Sequence, residues 1–139
     1  MKSYMVIGLG RFGSEAAKKL CELGCEVLAI DVRSELVQQL SNHVTHAVVA
    51  DAQDKDVLRA LGAKDFDCAI VSIGGSLADS VLATMNLKEL VSTDRQSNRT
   101  LAVSDIIAVF LQFKYIIIVT ADNHIFLHEI RHSGWNKHS

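Results

Sequence analysis

Three glycines stand in the run Gly8-Leu9-Gly10-Arg11-Phe12-Gly13, and an acid, Asp31, follows them by about twenty residues. That spacing suits one piece of chemistry, the grip of a pyrophosphate and its ribose. Gly8 permits a tight turn, Gly10 lets the backbone approach a phosphate with no side chain between, and Gly13 lets a helix pack close to a strand. Amide hydrogens at the start of that helix then point at phosphate oxygens, with the helix dipole behind them. A carboxylate at Asp31 can accept from both ribose hydroxyls and repels a 2′-phosphate, which favours NAD or an adenosine nucleotide over NADP. The glycine pattern by itself is common in loops, so its weight depends on the elements around it.

Those elements are of the required kind. Tyr4 to Gly8 is a continuous apolar run, as expected for a strand buried on both faces. Phe12, Ala16, Leu20 and Leu23 then recur at helical spacing, and Gly24 supplies the stop. Glu26 to Ile30 reads as the second strand, ending on Asp31. Ser34 is expected to cap a helix carrying Leu36, Val37 and Leu40. Thr45 to Ala50 is the third strand, and Asp54 caps a short helix that Gly62 breaks. Cys68 to Ile73 is the fourth strand. A helix over 76–90 places Leu77, Val81 and Met85 on one face, with Ala78 and Leu82 beside them. Alternating strand and helix periods with short connections predict an α/β fold: a Rossmann-type doubly wound parallel sheet with helices on both faces.

Composition agrees with a single folded unit. The chain has 139 residues, 49% of them apolar, and a net charge of -2, so there is no basic excess to neutralise a nucleic-acid backbone. No nucleic acid is expected as a partner. The run over 1–7 is too short for a signal peptide, and the apolar stretch Ile106 to Val119 is broken by Gln112 and Lys114 and falls short of the ~20 residues that span a bilayer. Cys21, Cys25 and Cys68 form no CxxC pair, so reduced thiols in a soluble, cytoplasmic protein are expected.

Val6-Ile7-Gly8-Leu9-Gly10-Arg11-Phe12-Gly13, Val27-Leu28-Ala29-Ile30-Asp31, Val49-Ala50-Asp51-Ala52 and Val71-Ser72-Ile73-Gly74 together resemble the nucleotide-binding domain of potassium-transport regulators. These are the KTN or RCK (TrkA-N) domains of the KtrA and TrkA type, and the resemblance covers residues 3–90. It implies a cytoplasmic gating subunit without catalysis, which binds NAD(H) or ATP/ADP, assembles as a homo-oligomeric dimer or ring, and presses on a membrane potassium-translocating subunit. Such a protein would sit peripherally at the inner face of the cell membrane. Arg11 matches the family arginine beside the phosphates, Asp51 and Ala52 match positions lining the adenine, and Ser72, Ile73 and Gly74 match the loop under the distal half of the cofactor. The implied cofactor-binding set is Gly8, Leu9, Gly10, Arg11, Phe12, Gly13, Asp31, Val32, Arg33, Asp51, Ala52, Ser72, Ile73 and Gly74. Each side chain also has a blander reading: Arg11 as a solvated arginine, Asp51 as a turn cap, and Ser72 and Gly74 as strand-end turn residues.

The chain divides accordingly into a nucleotide-binding half-domain over 1–90, in βαβαβαβα order, and a divergent segment over 91–139. Val91 to Thr100 is polar and reads as a linker or exposed loop. Leu101 to Phe113, Tyr115 to Thr120 and Ile125 to Ile130 read as extra strands or a partly disordered tail. The Gly-Ala-Asp segment and Pro-Glu pair of the family are missing there, as a truncated or shifted reading of a longer gene would produce. His124, His128 and His132 share a helical spacing, but no carboxylate or cysteine completes a ligand set, and surface histidines are the expectation. The competing function is the cofactor half of an NAD-dependent dehydrogenase. It would need an acid or base near the cofactor, and His43 and His46 precede the third strand, at the wrong end of the sheet.

Overall fold

The computed structural model describes residues 2–74 and 77–93, together with the backbone of 106–110, 115–119 and 125–129. Four parallel strands form one side of the sheet: β1 (Ser3–Ile7), β2 (Glu26–Asp31), β3 (His46–Val49) and β4 (Cys68–Val71), in the order β3-β2-β1-β4. Between them run α1 (Arg11–Glu22), α2 (Ser34–Leu40) and α3 (Lys55–Ala60), and α4 (Leu77–Thr93) follows β4. β5 (Ile106–Phe110) adds to β4 in parallel, while β6 (Tyr115–Val119) and β7 (Ile125–Glu129) continue the sheet antiparallel, giving seven strands among the described residues. The expected parallel sheet thus reverses direction only after β5. Residues 111–114 separate β5 from β6, and so short a link can return a strand antiparallel but cannot cross over to make it parallel. Within the three C-terminal apolar runs, the described residues 106–110, 115–119 and 125–129 are strands.

Successive residues of each parallel strand serve opposite cores, which is why these strands read as unbroken apolar runs. Met5, Ile7, Leu28, Ile30, Ala69 and Val71 pack with Leu58 of α3 and Ala83, Leu87 and Leu90 of α4. Val6, Val27, Ala29 and Ile70 pack on the other face with Ala17 of α1 and Val37 and Leu40 of α2. At the end of the sheet opposite the glycine loop, the Ser3 N–H donates to Asp67 Oδ2 at 2.8 Å and the Asp67 N–H returns to the Ser3 carbonyl at 3.0 Å. That exchange ties β1 to the entry of β4.

Several local expectations change. Leu23 is 67% exposed, because α1 ends at Glu22 and Leu23 belongs to the cap, so it does not face the sheet. Gly24 does take the left-handed conformation expected of it, with φ +87°. Ser34 is the first helical residue of α2 and makes no cap; Arg33 occupies the cap position with extended backbone. Asp54 caps α3 as expected, its carboxylate accepting from the Asp56 and Val57 amides. α4 runs through Thr93, so 91–93 are helical and not linker.

The largest change concerns the face of α4. Val81, Leu82 and Met85 are exposed, at 41%, 42% and 59%, and the buried positions are Ser80, Ala83, Asn86, Leu87 and Leu90. Apolar residues surround this helix, so periodicity could not choose the inward face. Polar hydrogen bonds choose it instead. Ser80 Oγ donates to the Ile73 carbonyl at 3.0 Å, and Asn86 Nδ2 donates to the Gln53 carbonyl at 2.7 Å. Residues 75–76, 94–105, 111–114, 120–124 and 130–139, and the side chains of Leu77, of 91–93 and of β5 to β7, lie outside the described residues, and His124, His128 and His132 fall among them.

Candidate functional site

The sheet order changes direction between β1 and β4, since β2 and β3 lie to one side of β1 and β4 to the other. A crevice opens beyond the carboxyl ends of strands at such a switch point. Here it is a cleft of about 620 Å³ lined by the ends of β1, β2 and β4 and the loops after β3 and β4.

The glycine loop forms its floor. Gly8 has φ +91°, and a Cβ there would fall inside the Ser72 carbonyl oxygen, so both its conformation and its space demand glycine. A Cβ on Gly13 would fall inside the Gly8 carbonyl oxygen, which makes Gly13 the residue that lets α1 lie against the loop. Gly10 is different: its φ of -68° is ordinary and nothing lies within 4 Å of a Cβ built on it. Folding therefore places no demand for glycine at position 10, whereas a ligand lying on the loop would. The first amide of the helix to return to a carbonyl is that of Ser14, bonded to Gly10 at 3.0 Å. Among the described residues no backbone carbonyl accepts from the Arg11, Phe12 or Gly13 amides, as a helix start dictates.

Asp31 is buried to 7% exposure at the end of β2 and already has donors. Its Oδ2 accepts from the Leu9 amide at 2.8 Å; its Oδ1 accepts from the Arg33 amide at 2.8 Å and from Arg33 Nε at 3.3 Å. The carboxylate thus braces the glycine loop from the neighbouring strand. Oδ2, with a single donor, keeps lone-pair capacity for a further one such as a ribose hydroxyl. Across the cleft, the Ser72 hydroxyl is buried with no hydrogen-bond partner. A buried hydroxyl left unpaired costs about 1–3 kcal/mol, so a polar guest beside it would recover that loss.

Of the residues singled out by sequence, Gly8, Gly10, Arg11, Asp31, Val32, Arg33, Asp51, Ala52, Ser72, Ile73 and Gly74 line this cleft. Leu9, Phe12 and Gly13 do not. The Leu9 side chain is buried in the core with α1 and α2, Phe12 packs against that core, and Gly13 acts through its packing on Gly8. Asp51 is exposed and its Oδ1 accepts from the Gln53 amide at 2.9 Å, so it caps its own turn while lining the cleft. The sequence reading missed Ile7, Ile30, Ala50, Gln53 and Asp79 in the lining. It also missed Asn86, which holds the turn over 52–53 from behind; a polar residue in an apolar helix was the available signal. His43 and His46 are exposed before and at the start of β3, at the opposite end of the strands.

Strand order, switch-point cleft and glycine loop define a Rossmann-type α/β domain. The chain belongs to the TrkA-N domain family, whose profile matches residues 4–104. It is 45% identical over 89 residues to the Ktr system potassium uptake protein A of Bacillus subtilis, a match covering 64% of this chain and 40% of that protein. The chain therefore spans well under half of that relative's length. Among solved structures, the NAD(P)-binding domain of an exopolyphosphatase-related protein from Archaeoglobus fulgidus superposes with a TM-score of 0.61 at 19% identity, over 81% of this chain and 90% of that one. The Kef CTD of Shewanella denitrificans, in an AMP-bound form, superposes with a TM-score of 0.53 at 24% identity, over 77% and 58% of the two chains. Both likenesses concern the fold. Among the described residues no helix is long and apolar enough to cross a membrane.

Proposed function

We propose that this domain binds an adenine nucleotide, NAD(H) or ATP/ADP, in the cleft over its glycine loop, and serves as a regulatory subunit of a membrane potassium transporter. The observation that carries the reading is the row of unpaired amides from Arg11 to Gly13, opening on a cleft with an acid on one wall and an orphaned hydroxyl on the other. Phosphate oxygens would accept from those amides with the dipole of α1 aligned behind them. Arg11, exposed on the cleft rim, would read a terminal phosphate. Asp31 would take a ribose hydroxyl while holding the loop through Leu9. The bound nucleotide supplies charge and shape, and this chain's residues supply the donors and the acceptor.

The transport role rests on the name of the Bacillus subtilis relative, and its mechanism on linkage. A nucleotide regulates only by binding two conformations unequally. The cleft is built for that, because its walls are the separate loops after β1, β2, β3 and β4, so one ligand ties four connections together. The homo-oligomer, the membrane subunit it would press on and a position at the inner face of the membrane belong to the same proposal. Thermal denaturation with NADH, NAD, ATP and ADP tests the binding step, since a ligand at 100 times its Kd adds about 2.7 kcal/mol. At least one should raise the melting point; no shift with any of them removes the site assignment. Steady oxidation of NADH with a panel of oxo-acids would overturn regulation in favour of a dehydrogenase.

A further inference from the structure

The buried polar residues among those described are Asp31, Ser72, Ser80 and Asn86. Asp31 and Ser72 line the cleft, and the other two lie on α4, behind its walls. Asn86 donates from Nδ2 to the Gln53 carbonyl at 2.7 Å and stands 3.5 Å from the Ala52 carbonyl. The buried residues around it on α4, Ala83, Leu87 and Leu90, belong to an apolar core, where a leucine at position 86 would add buried apolar area. Packing therefore does not call for an amide at this place, whereas the turn in front of it does. That turn is clamped from two sides. The Gln53 N–H donates to Oδ1 of Asp51, which lines the cleft, at 2.9 Å, and the Gln53 carbonyl accepts from Asn86 behind. The Asp54 N–H returns to the Asp51 carbonyl at 3.1 Å, and the Ala50 N–H joins the turn to the end of β2 through the Asp31 carbonyl at 3.1 Å.

Strand order decides which part of a nucleotide meets this turn. The sequence β3-β2-β1-β4 sets the glycine loop after β1, Asp31 at the end of β2 and the turn over 50–53 after β3, side by side along the cleft. Phosphates over the first and a ribose on the second put the base against the third. We propose that Asn86 is a positioning residue for base recognition: it does not line the cleft, and by fixing the Gln53 carbonyl from the core side it holds the turn in the shape that receives adenine. The inference rests on the nucleotide reading above. Without the amide the turn takes that shape only part of the time, and apparent affinity for a base-bearing ligand falls by the same fraction. A ligand that lacks the base makes no use of the turn and loses nothing.

The probes are 5′-AMP and ribose 5-phosphate, which share the sugar and the phosphate and differ in the base. They are titrated into the whole chain and into Asn86→Leu, Asn86→Asp and Ser80→Ala. Asn86→Leu removes the donor and keeps the core apolar, while Asn86→Asp keeps the shape and sets a carboxylate oxygen against the Gln53 carbonyl, so either variant serves if the other does not fold. Ser80→Ala is the control, because it removes a buried donor from the same helix that reaches the Ile73 carbonyl, after β4, at 3.0 Å. AMP affinity should fall about tenfold in both Asn86 variants, with ribose 5-phosphate changing by less than about twofold. In Ser80→Ala the ratio of the two affinities should match that of the unaltered chain. Equal losses for both ligands would make Asn86 a prop of the general fold and overturn the proposal, as would unchanged AMP affinity. A Ser80→Ala chain whose ratio drops as far as that of Asn86→Leu would overturn it too, since the effect would then belong to α4 as a whole. In each of these cases AMP binding to the unaltered chain leaves the nucleotide cleft standing; if the unaltered chain binds neither probe, both readings fall.

Discussion

Gly10→Ala separates what the fold needs from what a ligand needs. At φ -68° and ψ -165° an alanine is unstrained, and its methyl meets nothing within 4 Å. Losing glycine freedom in the unfolded chain stabilises by about 0.4–1 kcal/mol, while alanine is a poorer helix cap than glycine by a comparable amount. The two effects offset, so the melting temperature of the free protein should move by no more than about 3 °C. The methyl would nevertheless stand where a phosphate must approach the Arg11 to Gly13 amides, and nucleotide affinity should fall at least tenfold, about 1.4 kcal/mol. Gly13→Ala is the contrast. Its Cβ would lie closer to the Gly8 backbone than the 3.0 Å that real Cβ atoms keep, so the loop or α1 must shift. Strain against rigid backbone places the cost at about 3 kcal/mol or more. Denaturation and ADP titration of both variants provide the assay. A Gly10→Ala protein as unstable as Gly13→Ala, or one that binds ADP unchanged, would refute the reasoning.

Further outcomes follow from the same geometry. Asp31→Ala strips the buried Leu9 amide of its acceptor and should cost about 1–3 kcal/mol in urea denaturation, with most of the nucleotide-induced stabilisation lost as well. Ser72→Ala removes a hydroxyl that has no partner, so the free protein should be unchanged or more stable by about 1 kcal/mol, whereas nucleotide affinity should fall by up to about tenfold. The Ser3 backbone N–H above all, then the Ser3 hydroxyl and the Lys2 charge, holds the exposed Asp67 carboxyl below its ordinary range. A group depressed in the folded state contributes stability above its unfolded pKa and loses it as pH falls through the folded value. Asp67→Asn should therefore flatten the acid limb of the melting temperature against pH and leave its neutral plateau flat; an unchanged acid limb would contradict the assignment.

What could be read in the sequence was whatever one local rule decides. Runs such as Met5-Val6-Ile7 are apolar on both faces because both faces are covered, and the strand-glycine-helix order placed the loop and Asp31 correctly beside one another. The inward face of α4 was not legible. Its Met85 and Leu82 are as apolar as Leu87, and the choice is made by Ser80 and Asn86 reaching carbonyls that only the tertiary fold brings near. The occupation of Asp31 by Leu9 and Arg33 was hidden for a similar reason, since the position of a carboxylate along the chain does not reveal which amides converge on it. The reversal of direction after β5 required knowing how few residues separate two strands whose ends the sequence places only loosely.

The central claim is that amides at the mouth of α1 meet a nucleotide's phosphates, and backbone amide NMR shifts of the labelled chain during an ADP titration test it most directly. The largest changes should fall on Gly10, Arg11, Phe12 and Gly13, with a second group at Asp31 to Arg33. Saturating ADP that leaves those signals in place, or that moves only signals remote from the glycine loop, would contradict it.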